Sequence, residues 1–215
     1  MFEGLSFIQL AAAALGGYLL GSIPFGVIAT RLGGTADLRS IGSGSIGATN
    51  VLRTGRKDLA AITLIGDGGK GAVAVLLAWL ATQDNTLESQ SVLTAIAAGA
   101  AFLGHLFPVW LRFKGGKGVA TFFGTLLAAA WPVGLLAGAT WLVMAFFFRI
   151  SSLAGLTAAA LAPAFVFLSF VHRPEPIAYL ALFMAILIYV RHTANIRRLL
   201  KGEEPHIGGE TKAQA

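Results

Sequence analysis

The run Lys114-Gly115-Gly116-Lys117-Gly118 lies between two apolar stretches, each able to cross a membrane. Glycines let backbone N–H groups close on phosphate oxygens, and lysines add point charge. A helix starting near Val119 would aim the positive end of its dipole at the same place. Alone, such a turn is more often a solvated positive-inside loop. Other polar stretches change that balance. Ile41–Arg53 alternates Gly and Ser, carries Ser43, Ser45, Thr49 and Asn50, and ends on Arg53. Its hydroxyls and amide can donate around an anion, and the guanidinium is a planar fork for phosphate. A Gly/Ser linker is the bland alternative, but a Thr-Asn-x-x-Arg ending is unlike a linker. Arg149-Ile150-Ser151-Ser152 puts one charge and two hydroxyls between spans; there the plain alternative is a capped tight turn. In Arg191–Arg198, a continuous helix would put Arg191, Asn195 and Arg198 on one face with His192 beside them. A basic stop signal explains those arginines but not Asn195 or His192. His105 ends an apolar span a few residues before the cationic turn; a helix-end hydrogen bonder and a functional group are about equally good readings. Asp67 and Lys70 lie within another apolar stretch. Charge there is expensive, so the two are expected to pair and support the site from beneath.

The elements that must hold these groups are membrane spans. The chain has 215 residues, 56% hydrophobic and 12% charged, with no cysteine and a net charge of +6. A soluble domain carries about a quarter charged residues. The absent cysteines exclude a disulfide framework and thiolate metal sites. The positive charge reads as topology and anionic partners, not nucleic acid. The N-terminus lacks a positive region and does not read as a cleaved signal. Charge-free runs cover Gly4–Thr30, Ser89–Leu111, Gly118–Phe148 and Ile150–His172, and two shorter ones, Gly71–Gln83 and Pro176–Val190, extend to spanning length. Gly118–Phe148 would be about 46 Å as one helix, too long for one crossing, and Trp131-Pro132 should break it. Seven spans then put 14 of the 16 Lys and Arg on one face. Arg173 falls on the other, and Lys70 lies inside a span. The positive-inside rule makes the basic face cytoplasmic. The fold class is therefore all-α: a polytopic bundle of seven transmembrane helices, N-terminus outside and C-terminus cytoplasmic, with five or six spans as alternatives. Small residues crowd the spans, as close helix packing in lipid requires.

Three ordered blocks carry a family resemblance: Ser43–Arg53, Gly104-His105-Leu106-Phe107-Pro108 through Lys117-Gly118, and Arg191–Arg198. Together they resemble the bacterial acyl-phosphate:glycerol-3-phosphate acyltransferases, integral membrane enzymes of phospholipid synthesis. The likeness runs nearly the full chain. It departs at Asp67-Gly68-Gly69-Lys70-Gly71, where the family often has bulkier residues, so helix packing there is expected to differ. The resemblance implies a membrane domain over 1–204, a disordered hydrophilic tail over 205–215, and a place in the bacterial inner membrane with the site on its cytoplasmic side. It implies acyl transfer from acyl phosphate to the 1-hydroxyl of glycerol 3-phosphate, giving lysophosphatidic acid and phosphate. The acyl phosphate would come from a phosphate acyltransferase. Carried over by position, Ser43, Arg53, Lys114, His192 and Asn195 would hold glycerol 3-phosphate. The turn Gly115, Gly116, Lys117 and Gly118 would cradle acyl phosphate, and His105, Ser151 and Ser152 would line the reacting centre. Ser45, Thr49 and Asn50 are further candidates.

No cofactor is implied, and no metal, since carboxylates are scarce on the basic face. The His-x4-Asp dyad of other glycerolipid acyltransferases is absent, because Trp110 stands five after His105. Acyl phosphate is already activated, so positioning and charge stabilisation supply much of the catalysis. A substrate phosphate oxygen is favoured over His105 as proton acceptor. Two other classes compete. An anion transporter would thread polar residues across the spans, and few are found. A metal-dependent phosphatidyltransferase would cluster aspartates, and Asp67 stands nearly alone.

Overall fold

In the computed structural model, residues 4–168 and 174–208 are described, and their regular structure is helical. Glu3, Arg173 and Lys212 lie outside the described residues. Ser6 caps α1 (Phe7–Gly21) with a reciprocal bond to Gln9, leaving the apolar run free to enter lipid. The first apolar run is not one straight helix, as its composition suggested. It breaks at Ser22-Ile23-Pro24 and resumes as α2 (Phe25–Leu32). Proline has no N–H to continue the ladder. The break exposes the Ile23 carbonyl, which accepts the Lys70 ammonium at 2.8 Å.

A loop with a 3-10 turn (Leu38–Ser40) leads to α3 (Ala48–Leu52). Then follow α4 (Lys57–Leu80), α5 (Leu87–Leu106), α6 (Val119–Ala129), α7 (Trp131–Phe148), α8 (Ser151–Leu168), α9 (Pro174–Arg191) and α10 (Thr193–Leu200). The break expected at Trp131-Pro132 is present: α6 stops at Ala129, Ala130 is extended, and Trp131 and Pro132 start α7. Gly134 packs on the Leu127 backbone, so α7 turns back beside α6.

α1 lies along α5, α4 along α6, and α8 between α7 and α9. Small residues set the two tightest crossings. A Cβ on Gly21 would sit 1.9 Å from the Ala101 carbonyl oxygen, and one on Gly124 would sit 2.0 Å from that of Gly68. The second crossing falls within Asp67–Gly71: Gly68 admits α6 against α4, and Thr121 donates to the Asp67 carbonyl at 2.8 Å. Phe102, Leu106, Phe122, Leu126, Val133, Met184 and Ile188 form the core between α5, α6, α7 and α9. Outside it, Leu142, Phe146 and Phe147 of α7 are exposed, which suits lipid and not water.

Five helical stretches are long and apolar enough to cross a bilayer, counting α1 and α2 as one. α9 and α10 make a sixth if the pair, bent by 65°, is one span. α6 has 11 residues, about 16 Å. Contacts of Thr49 with Ser151, Lys117 with Asn195, and Ser152 and Asn195 with Glu204 bring the four polar segments together at one end of the bundle. Residues 205–208 also return to that end: the Ile207 amide donates to the Arg149 carbonyl at 2.6 Å, and Arg149 Nη2 donates to the Ile207 carbonyl. The rest of the tail, 209–215, lies outside the described residues.

Candidate functional site

The Gly/Ser loop is organised around Asn50, which is buried. Its Nδ2 donates to the carbonyls of Leu38 (2.9 Å) and Ser45 (2.8 Å). Its Oδ1 accepts from the Ser43 amide and from Arg53 Nη1, both at 3.2 Å. Asn50 is thus spent on framework, and it presents Ser43 and Arg53. Gly42 and Gly44 have positive φ (51° and 65°), the left-handed turns that wrap the loop around it. The Ser45 hydroxyl lies 3.4 Å from the Gly47 amide, and Thr49 Oγ1 lies 3.3 Å from Ser151 Oγ. That contact joins the first loop to the α7–α8 turn.

From there a chain of polar contacts crosses the end of the bundle. Ser152 Oγ donates to Glu204 Oε1 at 2.7 Å, and Asn195 Nδ2 donates to the same oxygen at 2.5 Å. Arg198 Nε reaches Glu204 Oε2 at 2.7 Å. Asn195 Oδ1 accepts the Lys117 ammonium at 2.6 Å. Arg53, Arg191, Arg198 and the Glu204 carboxylate all lie close enough to Lys117 to act on its charge. Burial lowers the Lys117 ammonium to about 8; Glu204 opposes the shift and the neighbouring arginines add to it. Partial burial also lowers Arg53. Glu204 is held below the usual carboxylate range by its donors, against the opposing effect of burial.

His192 occupies the break between α9 and α10, so Arg191 and Asn195 do not share one continuous helix face. At the break the buried imidazole turns Nδ1 back onto the Ile188 carbonyl at 2.8 Å, which the His192 amide also reaches at 2.9 Å. A carbonyl only accepts, so Nδ1 carries the proton. Burial and the nearby Lys117 lower this histidine to about 4. It is neutral near pH 7, and Nε2 keeps a lone pair for a donor.

The glycine turn differs from its sequence reading. The amides of Gly115 and Gly116 do not face an anion; they donate to the carbonyls of Leu106 and His105. Glycine is required here by closeness: a Cβ on Gly116 would lie 2.3 Å from His105 Nε2. Gly118 turns the chain at φ +89° into α6. His105 lies beneath this turn, and its Nδ1 is 3.5 Å from Asp67 Oδ1. A carboxylate therefore reaches the histidine from α4, where the chain-local motif had none. Asp67 also meets Lys70 at 3.0 Å, both side chains being 1% exposed, so the expected pair exists and includes His105.

The structure joins Ser43, Asn50 and Arg53 within the first loop, links Thr49 to Ser151, and connects Lys117, Asn195, Ser152 and Glu204. Lys114 is exposed and stands outside these contacts. Glu204 was not singled out from sequence, and Arg191 was named there only as one charge on the Arg191–Arg198 face. Glu204 sits past the helix in an acidic pair, with no motif around it; the one signal was a carboxylate beside a strongly basic face. Two apolar clefts, near 430 Å³ between α2 and α4 and near 460 Å³ among α4, α5 and α6, are not lined by the polar groups.

Residues 11–202 match a family model described as glycerol-3-phosphate acyltransferase. A protein of that name from Caulobacter vibrioides is 66% identical over 98% of this chain and 93% of its own length. Another, from Paramagnetospirillum magneticum, is 57% identical over 97% of this chain and 98% of its own. The crystal structure of PlsY (YgiH), an integral membrane glycerol 3-phosphate acyltransferase in its glycerol 3-phosphate form, superposes with a TM-score of 0.84. It is 36% identical, covering 93% of this chain and 96% of that one. The lysophosphatidic acid form gives a TM-score of 0.81 at 34% identity.

Proposed function

The chain belongs to the glycerol-3-phosphate acyltransferase family, integral membrane acyltransferases of phospholipid synthesis, and from that premise we propose that it moves a fatty acyl group from acyl phosphate to the 1-hydroxyl of glycerol 3-phosphate. The hydroxyl oxygen attacks the acyl carbonyl carbon, and the bond from that carbon to the phosphate oxygen breaks. Phosphate leaves with the electron pair, and the hydroxyl proton ends on one of its oxygens. The products are lysophosphatidic acid and inorganic phosphate.

One observation carries this reading: four cations and one carboxylate meet where the polar segments converge. A phosphate monoester and an acyl phosphate each carry a singly substituted phosphoryl group of about −1.5 to −2, close to what an excess of three positive charges can neutralise. Ser43, Arg53, Lys114, His192 and Asn195 are assigned to glycerol 3-phosphate. The neutral His192 Nε2 and the Asn195 amide suit its hydroxyls. The turn from Gly115 to Gly118, with Lys117 and the first amides of α6, is assigned to acyl phosphate. Ser151 and Ser152 border the reacting atoms. His105 supports from below, because Gly116 covers its Nε2. That favours substrate-assisted proton transfer without a protein base.

We assign α6 as a seventh crossing. Lys117 before α6 and Ser152 after α7 both join the Asn195–Glu204 contacts, so α6 and α7 leave one end of the bundle and return to it together. The basic end is then cytoplasmic in the bacterial plasma membrane, with the N-terminus outside. Residues 1–204 form the catalytic domain and 205–215 the tail, and a phosphate acyltransferase supplies the donor. The test is donor choice. Purified protein with glycerol 3-phosphate should consume palmitoyl phosphate and ignore palmitoyl-CoA; the reverse preference rejects the donor assignment.

A further inference from the structure

Arg191 ends α9 without a carboxylate partner among the described residues. Its Nη2 donates to the Gly115 carbonyl at 2.8 Å and its Nε to the Gly116 carbonyl at 3.1 Å. The guanidinium carbon lies 5.5 Å from the centre of the Phe107 ring, a cation–π contact that fixes the plane of the fork. The side chain is half-buried, and its donors go to backbone.

Peptide planarity gives this contact a consequence. In a trans peptide the C=O of one residue and the N–H of the next point in opposite directions. The peptide between Gly115 and Gly116 is bonded at both ends: its oxygen to Arg191 and its N–H to the His105 carbonyl at 3.2 Å. The next peptide has its oxygen on Arg191 too. The Lys117 N–H must then point away from Arg191, and it has no backbone partner among the described residues. Released, two adjacent glycines could flip these planes at little steric cost. Carbonyl oxygens would then turn toward the place assigned to a phosphate.

We propose that Arg191 is the positioning residue of the acyl-phosphate subsite. It acts through the glycine turn, holding two carbonyls back and one amide forward, and does not touch the donor. This rests on the reading of the turn as the donor site.

The test compares Arg191→Lys with Arg191→Ala. Lysine keeps the charge but cannot span two carbonyls from one planar group. Both variants should lose at least tenfold in kcat/KM for palmitoyl phosphate, while KM for glycerol 3-phosphate stays within about threefold of the parent. Added guanidinium should partly restore Arg191→Ala. If Arg191 instead bound substrate charge directly, Arg191→Lys would keep more than a third of the parent's kcat/KM, and that result overturns the proposal. Equal losses for both substrates overturn it as well. Amide exchange over 114–118, compared in parent and Arg191→Lys, is independent of the donor. Faster exchange in the variant supports the clamp even if the protein prefers palmitoyl-CoA, a failure that belongs to the donor reading alone. Unchanged exchange rejects the clamp even if palmitoyl phosphate is the donor.

Discussion

Asp67→Asn, a change of one side-chain oxygen to nitrogen, should destabilise the protein severely. The carboxylate faces Lys70 Nζ at 3.0 Å and His105 Nδ1 at 3.5 Å, and the Asp67 and Lys70 side chains are both 1% exposed. The amide variant leaves the ammonium without a counter-charge, facing the Ile23 carbonyl at 2.8 Å and a neutral amide oxygen. Removing one partner of a buried ion pair costs about 3–5 kcal/mol, because the other charge stays buried without compensation. For a chain of this size each kcal/mol shifts the melting temperature by roughly 2–4 °C. The expected fall is therefore roughly 6–20 °C. Replacing both charges, as Asp67→Asn with Lys70→Met, removes the stranded ammonium and leaves the Ile23 carbonyl with the Phe25 amide at 3.2 Å, so the cost stays within the about 1–3 kcal/mol of a lost buried bond. The double variant should melt between the parent and Asp67→Asn. Tryptophan fluorescence during heating in detergent micelles reads both. An Asp67→Asn protein melting within about 2 °C of the parent, or a double variant less stable than the single, would refute the buried-pair account.

The other predictions concern the polar end of the bundle. Glu204→Gln keeps an oxygen for Ser152 and Asn195 but sets an amide against Arg198 Nε. It should lose about 1.5–3 kcal/mol of stability, as a charge-assisted bond does, together with most turnover; melting and phosphate release measure the two. Lys117 is lowered to about 8, so between that value and the free lysine range the folded chain holds fewer protons than the unfolded one. This contribution makes stability rise with pH across that window, while the cation that draws phosphate is lost. The kcat/KM for palmitoyl phosphate should thus fall above about pH 8, and Lys117→Arg should move that limb upward; a flat profile to pH 9.5 contradicts the assignment. Gly116→Ala drives a methyl to 2.3 Å from His105 Nε2 and should reduce turnover by at least tenfold, with partial recovery when His105→Ala is added. His105→Ala alone should keep most turnover, and near-total loss with intact binding would make His105 the base.

Much of this arrangement was legible because membrane segments leave polar residues few places to go. The break at Trp131-Pro132 follows from proline chemistry, and the Asp67–Lys70 pair follows from the cost of lone charge in lipid. The break at Pro24 was equally readable in principle, but an unbroken apolar run around it hid the signal. The bend at His192 was not readable, since neither proline nor glycine marks it in the sequence. The glycine turn is visible in sequence, but not that the Gly115 and Gly116 amides go to the carbonyls ending α5. Arg191 reads as a positive-inside charge until the turn is folded against it. Glu204 escaped notice because a carboxylate nine residues past Asn195 gains meaning only when the chain doubles back.

Phosphorus NMR of purified protein supplied with palmitoyl phosphate and glycerol 3-phosphate tests the central claim most directly, because it follows both phosphates at once. One pocket holding two phosphorylated molecules predicts inorganic phosphate and lysophosphatidic acid rising in equal amounts, with palmitoyl phosphate untouched when glycerol 3-phosphate is withheld. Phosphate released without the acceptor, or lysophosphatidic acid formed without phosphate release, would contradict it.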